Sequence, residues 1–399
     1  MKDNVKFKLH NPLIQLAIVG ASLVLSTQVL AQDAASDSSF KLSGYVSVVG
    51  GRVLSGNLDA NYVAAPAPVM QIKGVNCPCY VADWNNAGVY GNDFSLAPES
   101  RVGIQGKYTI SNKMSVTAQL VSRGTNGTPD VTWAYGSYKV NDNFEVQVGR
   151  KRVPLYYYSD FQDIGVSYPW ITPPPELYGW EATNYNGASV RYSRSMGDAN
   201  LSASLFGGQE KVNESLYQKL YYPAGTTAVQ WNNLIGADIE VNRGPLTLRA
   251  VVMKADVRSI NNDPATLLDD SSTLKAYGLA ANLDLDKWFV LSEFTQLTRE
   301  FAVNSAHSPY KVIAPAFTVG AGMRLGKWTP FINYAQYAEE TNDVTGYYIL
   351  SSYKRTSVTL RYDLDSSSAI KAQLDKNYDV ANNFGGDTTV LRVSYDRVF

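Results

Sequence analysis

The chain is expected to be all-β: a transmembrane antiparallel β-barrel of about sixteen strands, with short turns at one end and long loops at the other. Three observations predict this. Apolar and polar residues alternate with a period of two over most of the sequence. Beyond the first thirty residues no run of about 18 apolar residues occurs, so no helix is expected to cross a bilayer, and only a closed barrel otherwise satisfies the backbone in lipid. The connections between the expected strands alternate short and long throughout, as in transmembrane barrels.

Composition agrees. The 399 residues are 45% hydrophobic and 18% charged, against about 25% charged in soluble domains. That excludes a disordered chain. A net charge of −1 leaves no basic excess for phosphates, which excludes nucleic acid as a partner. Tyr (27) and Gly (30) are abundant, and mean hydropathy is −0.19, so polarity is mixed residue by residue.

From the N-terminus, Lys2, Lys6 and Lys8 precede an apolar stretch from Leu13 to Leu25, and Val29-Leu30-Ala31 offers short residues for cleavage. Residues 1–31 are therefore expected to be a signal peptide cut after Ala31, leaving 32–399 as one barrel domain. Gln15 and Gln28 interrupt the stretch and no stop-transfer pattern follows, which argues against a membrane anchor. Losing Lys2, Lys6, Lys8 and Asp3 changes the charge from −1 to −3.

Strands are expected at 40–49, 99–110, 114–123, 131–140, 144–152, 186–195, 200–208, 233–242, 246–256, 273–283, 288–298, 316–325, 329–338, 354–364, 369–376 and 388–399. Val102, Ile104, Tyr108 and Ile110 share one face of the second, and Arg101, Gln105 and Lys107 the other. Ile235, Ala237, Ile239 and Val241 alternate with Gly236, Asp238 and Glu240 in the eighth. The fourth, eleventh and thirteenth carry aromatic residues on both faces, which leaves their parity open. Short connections include Asn141-Asp142-Asn143 and Arg243-Gly244-Pro245; long ones fall at about 50–98, 124–130, 153–185, 209–232, 257–272, 299–315, 339–353 and 377–387. The sequence ends inside a strand, with Leu391, Val393, Tyr395 and Phe399 on its outward face; Arg397 shares that face near the end, from which it can snorkel.

With these residues the chain resembles a Gram-negative porin of the sixteen-stranded, general-diffusion type. Phe40-Lys-Leu-Ser-Gly-Tyr-Val46, Val148-Gly-Arg150, Asn186-Gly-Ala-Ser-Val-Arg-Tyr192 and the terminal Phe399 carry the resemblance in their order along the chain. It implies passive diffusion of small hydrophilic solutes and ions across the bacterial outer membrane, without a cofactor, by a homotrimer embedded in outer-membrane lipid. Leu42, Val46, Val48, Leu391 and Val393 on the first and last strands suit contact with another subunit as well as with lipid. The first long loop, about 50–98, exceeds the family pattern.

The resemblance implies that the loop after the fifth strand folds into the barrel and narrows it. Its sequence is rich in Pro and aromatic residues, which restrict the backbone and need a surface to pack on. Asp160, Asp163, Glu176 and Glu181 would then reach the lumen; the alternative is an extracellular flap with solvated acids. Parity turns Arg101, Arg191, Arg249, Arg361 and Arg392 inward, with Arg123 and Lys151 following the same pattern. The family's wall bases on strands two and six carry over to Arg101 and Arg191; Arg361 and Arg392 come from parity alone. Loop acids facing wall bases across water would set a transverse field. Four acids (Asp160, Asp163, Glu176, Glu181) against four bases (Arg101, Arg191, Arg361, Arg392) predict weak ion selectivity.

Cys77 and Cys79 flank Pro78, and an exported chain meets oxidising conditions, so a disulfide between them is expected. No further Cys or His lies nearby for a metal. Three rivals remain. A solute-specific channel, preferring sugars or anions, would use Tyr156, Tyr157, Tyr158 and Trp170 as a stacking track. An outer-membrane enzyme would need partners for His307, the single His past the signal. A receptor barrel would need a plug, for which residues 32–39 are too short.

Overall fold

The computed structural model describes residues 39–60, 71–266, 268–304 and 307–399. The expected signal peptide and its cleavage site lie outside the described residues.

Sixteen antiparallel strands close into a barrel: β1 (Phe40–Asn57), β2 (Arg101–Thr109), β3 (Met114–Arg123), β4 (Asp130–Lys139), β5 (Phe144–Arg152), β6 (Asn184–Met196), β7 (Ala199–Val212), β8 (Thr227–Arg243), β9 (Leu246–Asn261), β10 (Asp269–Leu285), β11 (Trp288–Phe301), β12 (Tyr310–Met323), β13 (Trp328–Ala338), β14 (Ser352–Asp365), β15 (Ser368–Asp379) and β16 (Asp387–Val398). The short piece Glu340–Thr341 prolongs β13 and pairs with β12. Among the described residues no helix is long and apolar enough to cross a membrane. All sixteen expected strands are present, and each pairs with its sequence neighbours, which removes every edge.

Closure comes from β1, which pairs with β2 on one side and β16 on the other. The seam is completed by Phe399: Gly44 and Phe399 exchange backbone hydrogen bonds of 2.8 and 2.9 Å. A Cβ on Gly44 would come within 2.6 Å of the Phe399 ring, so only glycine lets the ring lie flat there.

Turn ends match the sequence expectation closely, whereas loop ends run on. β1 continues to Asn57 and β8 begins at Thr227. A membrane-spanning strand needs about 9–11 residues; β2 and β5 have 9, while β1 has 18 and β8 and β10 have 17 each. The barrel wall is thus low along β2–β5 and tall along β8–β10.

Lipid-facing and inward residues alternate. Leu205, Ile235, Val252, Leu279 and Val358 are exposed on the outer face. Of the three open parities, two resolve differently from a uniformly polar interior: β11 turns Phe289, Leu297 and Glu293 inward, and β13 turns Phe331, Asn333 and Ala335 inward. Thr132 is the buried inward residue of β4.

The first long connection folds back into the barrel mouth. Two small ribbons, Gln71–Ile72 with Val75–Asn76 and Tyr80–Asp83 with Gly88–Tyr90, form within it. Tyr80, Ala82 and Tyr90 pack on Val53 and Val390 of the inner wall. Cys77 and Cys79 are joined, S–S 2.04 Å.

Candidate functional site

The connection between β5 and β6, residues 153–183, lies inside the barrel and is held on three sides. Its Pro-restricted segments form only short turns, Ser159–Phe161, Gly165–Ser167 and Pro175–Tyr178, so many of its backbone polar groups need partners outside the loop. Several find them on the wall. Arg101 Nε donates to the Asp163 carbonyl at 2.8 Å, Arg361 donates to the Val166 and Tyr168 carbonyls at 2.8 and 3.0 Å, and Lys371 donates to the carbonyls of Gly165 and Trp170. Gln373 accepts from Ile171 N at 3.0 Å, and Glu293 accepts from Tyr157 N at 2.9 Å. Gly165 fits only as glycine, since a Cβ would collide with the Asp396 carboxylate.

Side-chain charges divide into two sets. The first is buried and paired. Asp163 of the loop meets Arg123 at 2.7 Å, Arg152 closely, and Arg101 at 3.9 Å. Burial alone would raise the Asp163 carboxyl, but Arg123, Arg152 and Arg101 together hold it well below the usual carboxylate range. Glu176 meets Arg355 at 2.9 Å, and from there a ladder of ion pairs runs through Asp375 (3.1 Å) and Arg392 (2.8 Å) to Glu99 (2.6 Å). Thr172 adds its hydroxyl to Glu99 at 2.6 Å. Lys371 pairs with Asp396 at 3.2 Å. Glu181, at the far end of the loop, is buried against Arg299 and accepts from Gln218 at 2.6 Å.

The second set faces water. Asp160 is exposed on the loop and Arg191 is exposed on the inner face of β6. Lys151 and Asp238 are half-buried beside them, and Arg249, its side chain nearly covered, donates to the Pro154 carbonyl of the loop. Lys151 donates to Ser189 Oγ at 3.0 Å, and Arg249 stands 3.9 Å from Asp238.

The structure therefore brings the sequence-selected residues together inside the barrel, but not as four acids facing four bases across a gap. Asp163, Glu176 and Glu181 touch their cations directly. Arg101 and Arg392 are buried in those contacts, and Arg361 binds loop carbonyls and Asp363 at 2.7 Å. Of the eight, Asp160 and Arg191 stand open to the lumen. Sequence reading missed the wall acids Asp375, Asp396 and Glu293 and the bases Arg355, Lys371 and Arg299. Their signal was present: Arg355 shares the β14 face with Arg361, and Lys371, Gln373 and Asp375 alternate with Ile370 and Leu374 on β15.

The loop's other side packs on apolar wall. Trp170 meets Phe331 edge-on at 5.2 Å between centroids, and Tyr156 lies 4.5 Å from Tyr178, whose hydroxyl donates to Glu293 at 2.6 Å. Tyr156, Tyr158 and Trp170 are 6%, 7% and 1% exposed. The stacking track drawn through these rings has no free faces; of its four members only Tyr157 is half-open. Beneath the loop, toward the short turns, a cavity of about 410 Å³ is lined by Tyr157, Tyr168, Phe289, Arg361 and Asp363.

His307 is enclosed by Phe301, Tyr310 and Tyr347. Its Nε2 lies 3.0 Å from Asp270, an acid remote in sequence, and its Nδ1 lies 2.9 Å from the Ser308 carbonyl. Among the described residues no group of His, Cys, Asp and Glu is arranged to hold a metal.

A closed sixteen-strand barrel narrowed by its third long connection is the geometry of a pore. A family model described as Gram-negative porin matches residues 21–369. The chain belongs to the Gram-negative porins. Solved structures of the same architecture include the outer membrane channel DcaP of Acinetobacter baumannii, with a TM-score of 0.59 at 13% identity over 90% of this chain and 97% of that one. The anion-selective porin from Comamonas acidovorans has a TM-score of 0.53 at 16% identity, covering 91% and 100%. OmpT of Vibrio cholerae in its trimer form has a TM-score of 0.53 at 10% identity, covering 91% and 100%. At these identities the likeness shows the fold. A search of curated protein sequences finds no match. This porin is a passive diffusion channel of the bacterial outer membrane.

Proposed function

We propose that small hydrophilic solutes and ions cross the constriction beside Asp160, Lys151, Arg191 and Asp238, and that this porin discriminates only weakly between anions and cations. The observation that carries this is the division of charge: Asp163, Glu176 and Glu181 are spent in buried pairs, while Asp160 and Arg191, of opposite sign, meet the water. Ions in a water-filled gap feel the unpaired charges, and feel them partly screened, the Debye length being about 8 Å at physiological salt. Reversal potential of single channels in a KCl gradient tests it. A value near zero is expected, and a potential close to the Nernst limit of either ion overturns weak selectivity.

The same reading makes the protein non-enzymatic, with residues 1–31 removed on export and 32–399 forming one barrel domain. It assembles as a homotrimer. The trimer form of Vibrio cholerae OmpT supports this, as does the flat apolar outer face carrying Leu42, Val48, Leu391 and Val393 on either side of the β1–β16 seam. Sedimentation of unheated protein in mild detergent at the mass of one chain would remove the trimer and leave the barrel.

A further inference from the structure

On the long-loop side of the constriction lie a small void of about 40 Å³ and, adjoining it, a cavity of about 300 Å³. Both are lined by Tyr217 and Tyr221, on the short helix Leu216–Tyr221 of the fourth long connection. Rings from other connections converge on that helix. Trp180 of the third connection stacks on Tyr217 at 6.4 Å and 8°, and Trp84 of the first lies 6.2 Å from Tyr221. Asn85 ties the first connection to the third by donating to the Trp180 carbonyl at 2.6 Å. Tyr222, Tyr347 and Tyr348 complete the larger cavity.

These rings are not simply a loop core. Trp84, Trp180, Tyr217, Tyr221 and Tyr222 are half-buried and Tyr347 is 40% exposed, so ring surface faces the cavities. Small-molecule sites run from about 300 to 1,000 Å³ and are usually built this way, with aromatic walls and a few convergent polar groups; the larger cavity stands at the lower bound of that range. The polar groups here are Gln218, Arg299, Glu339 and Asp270.

The charged ones already have partners. Arg299 pairs with Glu181 and lies over the Trp180 ring at 5.1 Å. Asp270 pairs with His307. Glu339 accepts from the Tyr337 hydroxyl at 2.5 Å, the Tyr348 hydroxyl at 3.0 Å and Ser351 N at 2.7 Å. An anionic solute entering would lose water without gaining a free counter-charge, since Arg299 is held by Glu181. A neutral ring with one C–H face and hydroxyls on its edge would lose little: the C–H face stacks on Tyr and Trp, and the hydroxyls reach tyrosine hydroxyls and the Gln218 amide.

We propose that this aromatic vestibule is a binding subsite for neutral carbohydrate, placed to capture the sugar before it reaches the constriction. The proposal rests on the reading of the chain as a channel. It differs from the buried track through Tyr156, Tyr158 and Trp170 in offering open ring faces.

Maltotriose added on the long-loop side of single channels tests it, with the tryptophan fluorescence of the detergent-solubilised protein as a second readout. Reversible, concentration-dependent block and a saturable fluorescence change are expected. Tyr222→Ser and Tyr347→Ser should each weaken both by about tenfold while leaving conductance in plain KCl unchanged, tenfold being about 1.4 kcal/mol. Conducting channels that maltotriose does not block, an unchanged affinity in both variants, or equal binding of glucuronate would overturn the subsite. Absence of any ion current would instead count against the channel, and the fluorescence titration would still decide the site.

Discussion

Two stretches of inner wall grip the same loop by opposite means. Along β14–β16 and β2–β5 the grip is ionic: Arg355, Arg392, Lys371, Arg101, Arg123 and Arg152 meet Glu176, Glu99, Asp396, Asp375 and Asp163 in pairs whose side chains are buried. Along β8–β13 it is mainly apolar, beside the Arg299–Glu181 pair: Trp231, Met253, Leu274, Leu297 and Phe331 form one buried cluster with Tyr156, Tyr158, Trp170 and Leu177. The difference teaches that charge inside a pore has two separable uses. Charges that touch hold the backbone in place, and charges that face water act on the solute.

The ionic side should be the more fragile. Asp163→Ala leaves three arginines buried around a missing partner, a loss of about 3–5 kcal/mol for a broken buried pair. The loop should detach from β2, β3 and β5, raising single-channel conductance and lowering the temperature at which the barrel unfolds on gels. An unchanged conductance would place the hold elsewhere.

Leu297→Ala, 2% exposed on β11, should cost less, about 2 kcal/mol at the low end for a Leu truncation. It creates a void and no repulsion. Thermal unfolding should shift while conductance stays close to that of the parent protein, and a conductance as large as that of Asp163→Ala would erase the distinction between the two walls.

Acid provides a gentler test. The carboxyl of Asp163 in the folded loop lies below its unfolded value, so its stabilisation is complete above the ordinary carboxylate range and is lost only as pH falls through the lower folded value. Conductance should therefore hold steady from pH 7 to about pH 4. Opening of the pore within that interval would show that Asp163 is not the anchor.

The smallest effects should come from the charges in water. Asp160→Asn should move the reversal potential toward anions and Arg191→Gln toward cations, each without a change in thermal stability. If Asp160→Asn destabilised the barrel and left the potential alone, Asp160 would belong with the paired set.

How much of this was legible in the sequence follows from the same physics. Short turns carry Gly, Asn and Asp, so Asn141-Asp142-Asn143 and Arg243-Gly244-Pro245 mark their ends sharply. Alternation of apolar and polar residues marks only wall that touches lipid; above it the ladder of β1 runs on to Asn57 with no lipid to pattern its outer face. Arg101, Arg191, Arg361 and Arg392 were recoverable from parity. Glu176 with Arg355 was not, because 179 residues separate them and the expectation of a basic wall hid Asp375 and Asp396. The inward Phe289 and Phe331 made β11 and β13 look two-faced for a concrete reason: a loop packs on them from inside.

A last consequence belongs to mechanics. A hollow cylinder squeezed by surrounding lipid flattens along its softest diameter. Here a strut crosses the bore, fastened to β2 through Arg101, to β11 through Glu293 and to β15 through Lys371. The part that sets the aperture is also the part that keeps the cross-section round. Widening the aperture by loosening the strut would soften the cylinder, so variation in permeation that preserves stiffness is confined to side chains such as Asp160 and Arg191 that bear no load.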